Sequence, residues 1–325
     1  MAKKVAVVII VMILFALLTS CKKEDDKGHL QKVGILVPET INDQVWGTKG
    51  YSGMLRIQNR FGVDVYYKEW MNSKVLTEKA VEEFSHKGVN LIFGHGSEYA
   101  EDFNQIASKF PNIHFVSFNG NAKCKNTTSL KFEGYAMGFF GGMTAAHETK
   151  TKKIAVLATY KWQPEIKGFV DGAKYENPDV QVFKQYVGNW DDTDQALHLL
   201  DGLIDKGADV VYPAGDRYSV PVIQKLKEKR LYAIGYVSDQ SDLGKYTVLT
   251  STVQHVDKLY EVAAARFAEG KLPPGNLYFD FQDGVITMGK WSPVVDKPFR
   301  ERLNRDIAIY TKTGKLPSKS DKGGI

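Results

Sequence analysis

Two similar α/β lobes, each built on a parallel sheet, are the fold class this sequence predicts, and three observations predict it. From Gln31 onward, short apolar β-branched runs alternate with longer helical patterns. Strands separated by single helices pair in parallel, as βαβ units. The pattern is then used again. "AVEEFSHKGVNLIFGHGSEYAEDFNQIASKFPNIHFVSF" and "ALHLLDGLIDKGADVVYPAGDRYSVPVIQKLKEKRLYAIGYV" both run helix, glycine, strand, glycine loop, helix, strand, with "KGVNLIFGHG" in register with "KGADVVYPAG". Finally, 325 residues are too many for one small core and suit two lobes of ordinary size.

The predicted strands are Lys32–Val37, Val63–Tyr67, Asn90–Phe93, His114–Phe118, Lys153–Ala158, Gln181–Val187, Val210–Pro213, Leu231–Tyr236 and Thr247–Thr250. Helical patterns fill most of the intervals. "TKGYSGMLRIQNRFG" places Leu55 and Ile57 before a stop at Gly62, and two later patterns end at Gly88 and Gly207. Glycine is the usual residue just past a helix end, because it enters the left-handed region without a Cβ penalty. Asp191, Asp192 and Asp194 in "NWDDTD" read as the cap of the helix that begins there.

Residues 1–20 read as an export leader. Lys3 and Lys4 precede an apolar run from Val5 to Leu18, which is secretory in size and shorter than the roughly 20 residues of a spanning helix. The run ends in Leu18-Thr19-Ser20-Cys21, which resembles the bacterial lipobox, where the cysteine is lipidated and becomes the mature N-terminus. Two acyl chains on Cys21 would anchor the chain stably at the extracytoplasmic face of the cell membrane. Residues 21–30, with the charged tract from Lys22 to Lys27, then read as a tether.

The remaining totals mostly exclude functions. The formal charge is +5, and without Lys3 and Lys4 it is +3, with no basic stripe or zinc-finger spacing to suggest a nucleic-acid partner. The second cysteine, Cys124, sits in a context unlike that of Cys21 and reads as an unpaired thiol without a role. Neither G-x-S-x-G nor H-E-x-x-H occurs, and no Cys–His spacing supports a nucleophile, so the sequence argues against an enzyme. "GHGSEY" lacks the P-loop Lys-Ser/Thr, which argues against phosphate binding. No cofactor or metal site is expected. His95 stands without a second ligand at metal spacing.

Open parallel sheets place ligands at the C-terminal ends of their strands. If both sheets face one cleft, the first lobe offers Asn42, Asp43, Trp46, Gly94, His95, Ser97, Tyr99 and Asn119. The second offers Tyr160, Trp162, Gly215, Asp216, Tyr218 and Asp239. Aromatic faces beside amides and carboxylates suit a small, flat polar solute, which the rings stack on while the polar groups orient it. Each also has a plainer reading: Asn42 and Asp43 as turn or cap residues, Trp46 and Trp162 as core, His95 as a loop residue.

Several stretches, in order, resemble the basic membrane protein family of bacterial solute-binding lipoproteins, the PnrA-like purine-nucleoside binders. They are "ETINDQVWGTKGYSGM", "SLKFEGYAMGFFGGMTAAHETKTKKIAVL", "GADVVYPAGDRYSVPVIQKLKEKRLYAIGYVSDQSD" and "VLTSTVQHVDKLYE". Within the family, "TINDQVWGTKGY" and "DVVYPAGD" look closest to a group in bacilli described as positive regulators of competence. The resemblance implies a type I periplasmic-binding-protein fold, with lobes joined by a three-segment hinge. It implies a first lobe of residues 31–129 plus 251–281, a second of 130–250 plus 282–317, and a disordered tail at 318–325. It implies a nucleoside-type ligand, an ABC permease as partner, and Gln254 among the ligand residues. This chain has Trp46 where the family has Phe, Gly47 for Asn, Val237 for a ribose-binding Asp and Gln254 for Lys. A ribose hydroxyl left facing Val237 would lose about 1–3 kcal/mol. The expected pocket therefore stacks its ligand on Trp46 and prefers a neutral, flat solute to a nucleotide.

Overall fold

The structure is a computed structural model that describes residues 29–42 and 45–318. The leader, Cys21 and most of the tether lie outside the described residues, as do Asp43 and most of the expected tail. The chain runs β1 (Lys32–Leu36), α1 (Trp46–Phe61), β2 (Asp64–Lys68), α2 (Lys74–His86), β3 (Leu91–Gly94), α3 (Tyr99–Ile106), β4 (His114–Phe118) and β5 (Thr127–Phe132). It continues through α4 (Tyr135–Glu148), β6 (Lys153–Ala158), α5 (Pro164–Glu176), β7 (Gln181–Tyr186), α6 (Thr193–Asp205), β8 (Val210–Ala214), α7 (Ser219–Glu228) and β9 (Tyr232–Val237). It closes with β10 (Val248–Gln254), α8 (Val256–Ala268), β11 (Gly275–Phe279), β12 (Ile286–Met288) and α9 (Lys297–Thr313).

Two six-stranded sheets result, ordered β11-β5-β4-β3-β1-β2 and β12-β10-β9-β8-β6-β7. All pairings are parallel except β10 with β12. This is the two-lobed type I periplasmic-binding-protein architecture. Central strands such as β3 and β8 are fully buried, as expected of parallel strands covered on both faces. Helices end at glycine where the sequence suggested it, with Gly62, Gly88 and Gly207 at φ of 65°, 78° and 89°. On α1 the buried face is Gly50, Gly53, Met54 and Ile57, whereas Leu55 is exposed. Asp192 caps α6 through the Gln195 amide. Cys124 is a half-buried free thiol, 3.3 Å from the Asn104 carbonyl.

The chain passes between the sheets three times, after β5, β10 and β11. Two expected boundaries need moving: 129/130 falls inside β5 and 250/251 inside β10. Both strands run a few residues further toward the space between the lobes. Helix α8 then belongs with the first lobe, where Asp257 and Glu261 pair with Arg56 and Arg60 of α1 at 2.7 and 2.6 Å.

Candidate functional site

The C-terminal ends of both sheets open on one cavity of about 800 Å³. Of the residues singled out from sequence, Trp46, His95, Ser97, Asn119, Tyr160, Trp162, Asp216 and Gln254 line it. Gly94 and Gly215 do not. A Cβ on Gly94 would lie 2.3 Å from that of Tyr99, and one on Gly215 would lie 2.0 Å from the Tyr218 ring. These two loops, one per repeat, each use a glycine to admit a tyrosine beneath it. Tyr99 and Tyr218 are therefore fully buried core residues, bonded to the Met71 carbonyl and the Thr159 hydroxyl. Asp239 is also outside the lining, where it accepts from the Ser241 and Lys290 amides and steadies its own loop. Asn42 is exposed in a turn whose Thr40 hydroxyl accepts its N–H. Asp43 lies outside the described residues.

In the first lobe, Trp46 is the first residue of α1 and half-buried. Its indole N–H donates to the His95 carbonyl at 3.1 Å, and its ring stacks on the imidazole at a centroid distance of 4.7 Å. His95 is buried with both nitrogens engaged. Nε2 donates to the Trp46 carbonyl at 2.7 Å, which leaves Nδ1 to accept from the Tyr260 hydroxyl at 2.9 Å. Gly50 and Gly53 make this possible: a Cβ on either would come within 2.7 Å of the His95 or Tyr260 ring. His95 thus orients Trp46. Asn119, at φ 55°, accepts the Phe132 N–H with its side-chain Oδ1 and holds β5 at the cleft edge.

In the second lobe, Tyr160 and Trp162 stack at 5.7 Å and Trp190 meets both edge-on. Trp162 is 56% exposed, so it is a wall of the cleft and not core. Behind this corner lies Glu165, at the start of α5 and buried. Its Oε1 accepts from Gln163 at 2.9 Å and Tyr236 at 3.1 Å. Burial pushes its carboxyl above the usual carboxylate range, and does the same to Glu98 on the opposite wall. Gln163 in turn accepts from the Thr159 and Tyr160 amides and so fixes the aromatic loop. Gln254 is 4% exposed, with the Met137 thioether as its hydrogen-bond neighbour at 3.7 Å.

Sequence reasoning missed Glu165, Gln163, Trp190 and Tyr236. The clue to Glu165 lies in the glycine spacing. Gly138 and Gly142 of α4 face Gly168 and Gly172 of α5, and a Cβ on any of them would fall 1.9–2.1 Å from a carbonyl oxygen of the other helix. The two backbones touch, and that contact drives the first turn of α5 into the cavity floor. The assembled groups stack and hydrogen-bond.

Comparisons with known proteins show what the whole chain is similar to. The family model described as ABC transporter substrate-binding protein PnrA-like matches residues 30–320. Transcriptional activator protein Med of Bacillus subtilis is 53% identical over 95% of this chain and 98% of its own. The ABC transporter nucleoside-binding protein BmpA of Lactococcus lactis is 25% identical, over 88% of this chain and 90% of its own. The crystal structure of a transcriptional activator of the comK gene from Bacillus halodurans is 51% identical with a TM-score of 0.82, covering 88% of this chain and 100% of that one.

Proposed function

The chain belongs to the PnrA-like family of ABC transporter substrate-binding proteins, and from that membership we propose that it is a lipid-anchored, extracytoplasmic receptor for a small, flat polar solute of nucleoside type. The observation that carries this reading is the cavity of about 800 Å³, with Trp46 on one lobe and the Tyr160–Trp162 pair on the other. A solute between them contacts both lobes, and only contacts that span both can drive hinge closure. The nucleoside-binding relative supports the ligand class. The anchor rests on Cys21. No helix among the described residues is long and apolar enough to cross a membrane. An ABC permease would receive the solute.

A second reading follows from the 53% identity to Med. On it, the protein is a surface regulator of competence gene expression that acts indirectly, since an exported chain does not meet DNA. Mass spectrometry of small molecules released from natively purified protein separates the two. A nucleoside supports capture. A cleft that arrives empty and binds no nucleoside on titration supports the regulator and sinks the transport reading.

A further inference from the structure

Resting on the reading of the cleft as a solute site, we propose that its ligand is a ring that carries positive charge together with hydrogen-bond donors, received by Glu165 at the floor, and that anionic nucleotides are excluded. The first ground is charge. Among the described residues, the lining includes the carboxylates of Glu39, Glu98, Glu133, Glu165, Asp191 and Asp216, against one lysine, Lys131. That lysine already donates to Asn121 at 2.6 Å and lies 5.7 Å from the Tyr278 ring. A phosphate entering this space meets like charge on several sides, which is how a site rejects a wrong ligand.

The second ground is hydrogen bonding. The buried donors of the lining point into the protein. The Trp46 N–H goes to the His95 carbonyl, the Tyr236 hydroxyl to Glu165, and the Gln163 amide to Glu165 and the Ala214 carbonyl. What remains for a ligand at the floor is mostly acceptor: the Glu165 carboxyl, which a cationic guest would hold in its acceptor-only ionised form, and the Gln254 amide, buried at 4% exposure beside a thioether. An acceptor-rich floor calls for a donor-rich guest.

The third ground is the aromatic corner. Tyr160 and Trp162 stack, with Trp190 5.4 Å and 6.2 Å from them edge-on. Electron-rich faces grouped beside carboxylates attract a cation. A neutral, donor-poor ring would gain stacking alone.

The test is isothermal titration of the mature protein with two matched series, each differing chiefly in charge. One is adenosine, cationic 1-methyladenosine and adenosine monophosphate. The other is nicotinamide, cationic 1-methylnicotinamide and nicotinate. The expected order in whichever series binds is cation tightest, by about tenfold or more over the neutral ring, with the anion weakest. Glu165→Gln keeps the acceptor for Gln163 and Tyr236 but removes the charge, so it should cut that preference to about twofold with the melting temperature unchanged. Equal or better binding of the neutral or anionic member overturns the proposal, as does an undiminished preference in a folded Glu165→Gln. Silence from all six ligands sinks the solute-receptor reading and this inference with it.

Discussion

Gly168→Ala tests whether the α4–α5 contact builds the cavity floor. The added Cβ would stand 1.9 Å from the Tyr135 carbonyl oxygen. Non-bonded carbon sits comfortably at about 3.5 Å, so the helices would have to part by more than about 1 Å. A gap of that size forfeits up to roughly half of the contact energy along the seam. Overpacking of this kind costs about 1–3 kcal/mol, and the upper end applies because the obstacle is backbone and cannot rotate away. Alanine recovers about 1 kcal/mol of helix propensity. The net loss is about 2 kcal/mol, or about 3 °C of melting temperature for a chain of this size. Gly202→Ala is the control, since Gly202 lies within α6 with nothing within 4 Å of its Cβ position. It should stabilise by about 0.5–1 kcal/mol. Calorimetry and urea titration read both variants. A Gly168→Ala protein as stable as the parent, or a control that loses as much, would refute the reasoning.

Three other perturbations bear on the site, the anchor and pH. Trp46→Ala should weaken ligand binding by about 1–3 kcal/mol, as when a base loses its stacked aromatic partner, with circular dichroism unchanged; an unfolded variant would make Trp46 core instead. Cys21→Ala should release the protein to the medium or leave it as precursor, and a mature-size variant pelleting with membranes contradicts the lipid anchor. His147 joins α4 to α9, and Glu176 at 3.7 Å and Asp296 at 2.6 Å hold its pKa above the ordinary 6.5. A raised folded pKa stabilises fully below pH 6.5 and loses that stabilisation as pH rises through the raised value. Burial raises the Glu148 carboxyl, which acts in the same direction. Stability should therefore fall as pH rises above 6.5, and His147→Gln should flatten that slope; an unchanged slope means another group governs it.

Much of the fold was legible because β-branched runs and glycine stops report backbone geometry directly. Of the strands missed or cut short, β5 and β10 carry polar residues at buried positions, while β11 and β12 are short strands at the sheet edges. β5 begins Thr127-Thr128-Ser129, and β10 contains Thr250-Ser251-Thr252, all of them buried. Their hydroxyls survive burial by donating to nearby carbonyls: Thr128 to Pro273, Ser129 to Gly120, Thr250 to Gly289, Thr252 to Gly235. A sequence cannot display those acceptors, so β5 goes unread and β10 is expected to stop at Thr250, and the boundaries that the resemblance implies cut through both strands. That shift mattered for the site, since the cleft residues Lys131, Phe132 and Glu133 lie at the end of β5.

Site positions were legible at the level of strand ends, but not the direction of side chains. Tyr99 and Tyr218 follow their strands as closely as true lining residues do, yet each turns inward beneath a glycine. Glu165 looks like an ordinary helix-start carboxylate until the glycine contact buries it. Val237 makes the same point for backbone. A valine at φ 60° is strained, because its branched Cβ crowds the left-handed region. Such a residue costs on the order of 1–3 kcal/mol and persists only where its surroundings over-determine it. Here they do. Val237 is 1% exposed, pairs with Val253 across the sheet, and is followed by a loop that Asp239 ties to Ser241 and Lys290. The resemblance implies an aspartate at this position, a residue that tolerates the left-handed region better. The turn at the end of β9 thus carries a valine where the resemblance implies a polar group better suited to it. On the proposed reading, ligand contact in the second lobe would fall to Glu165, Gln254 and the Tyr160–Trp162–Trp190 corner, which line the cavity, so the donor and charge complement of these groups, more than the family's ribose motif, should govern what this cleft accepts.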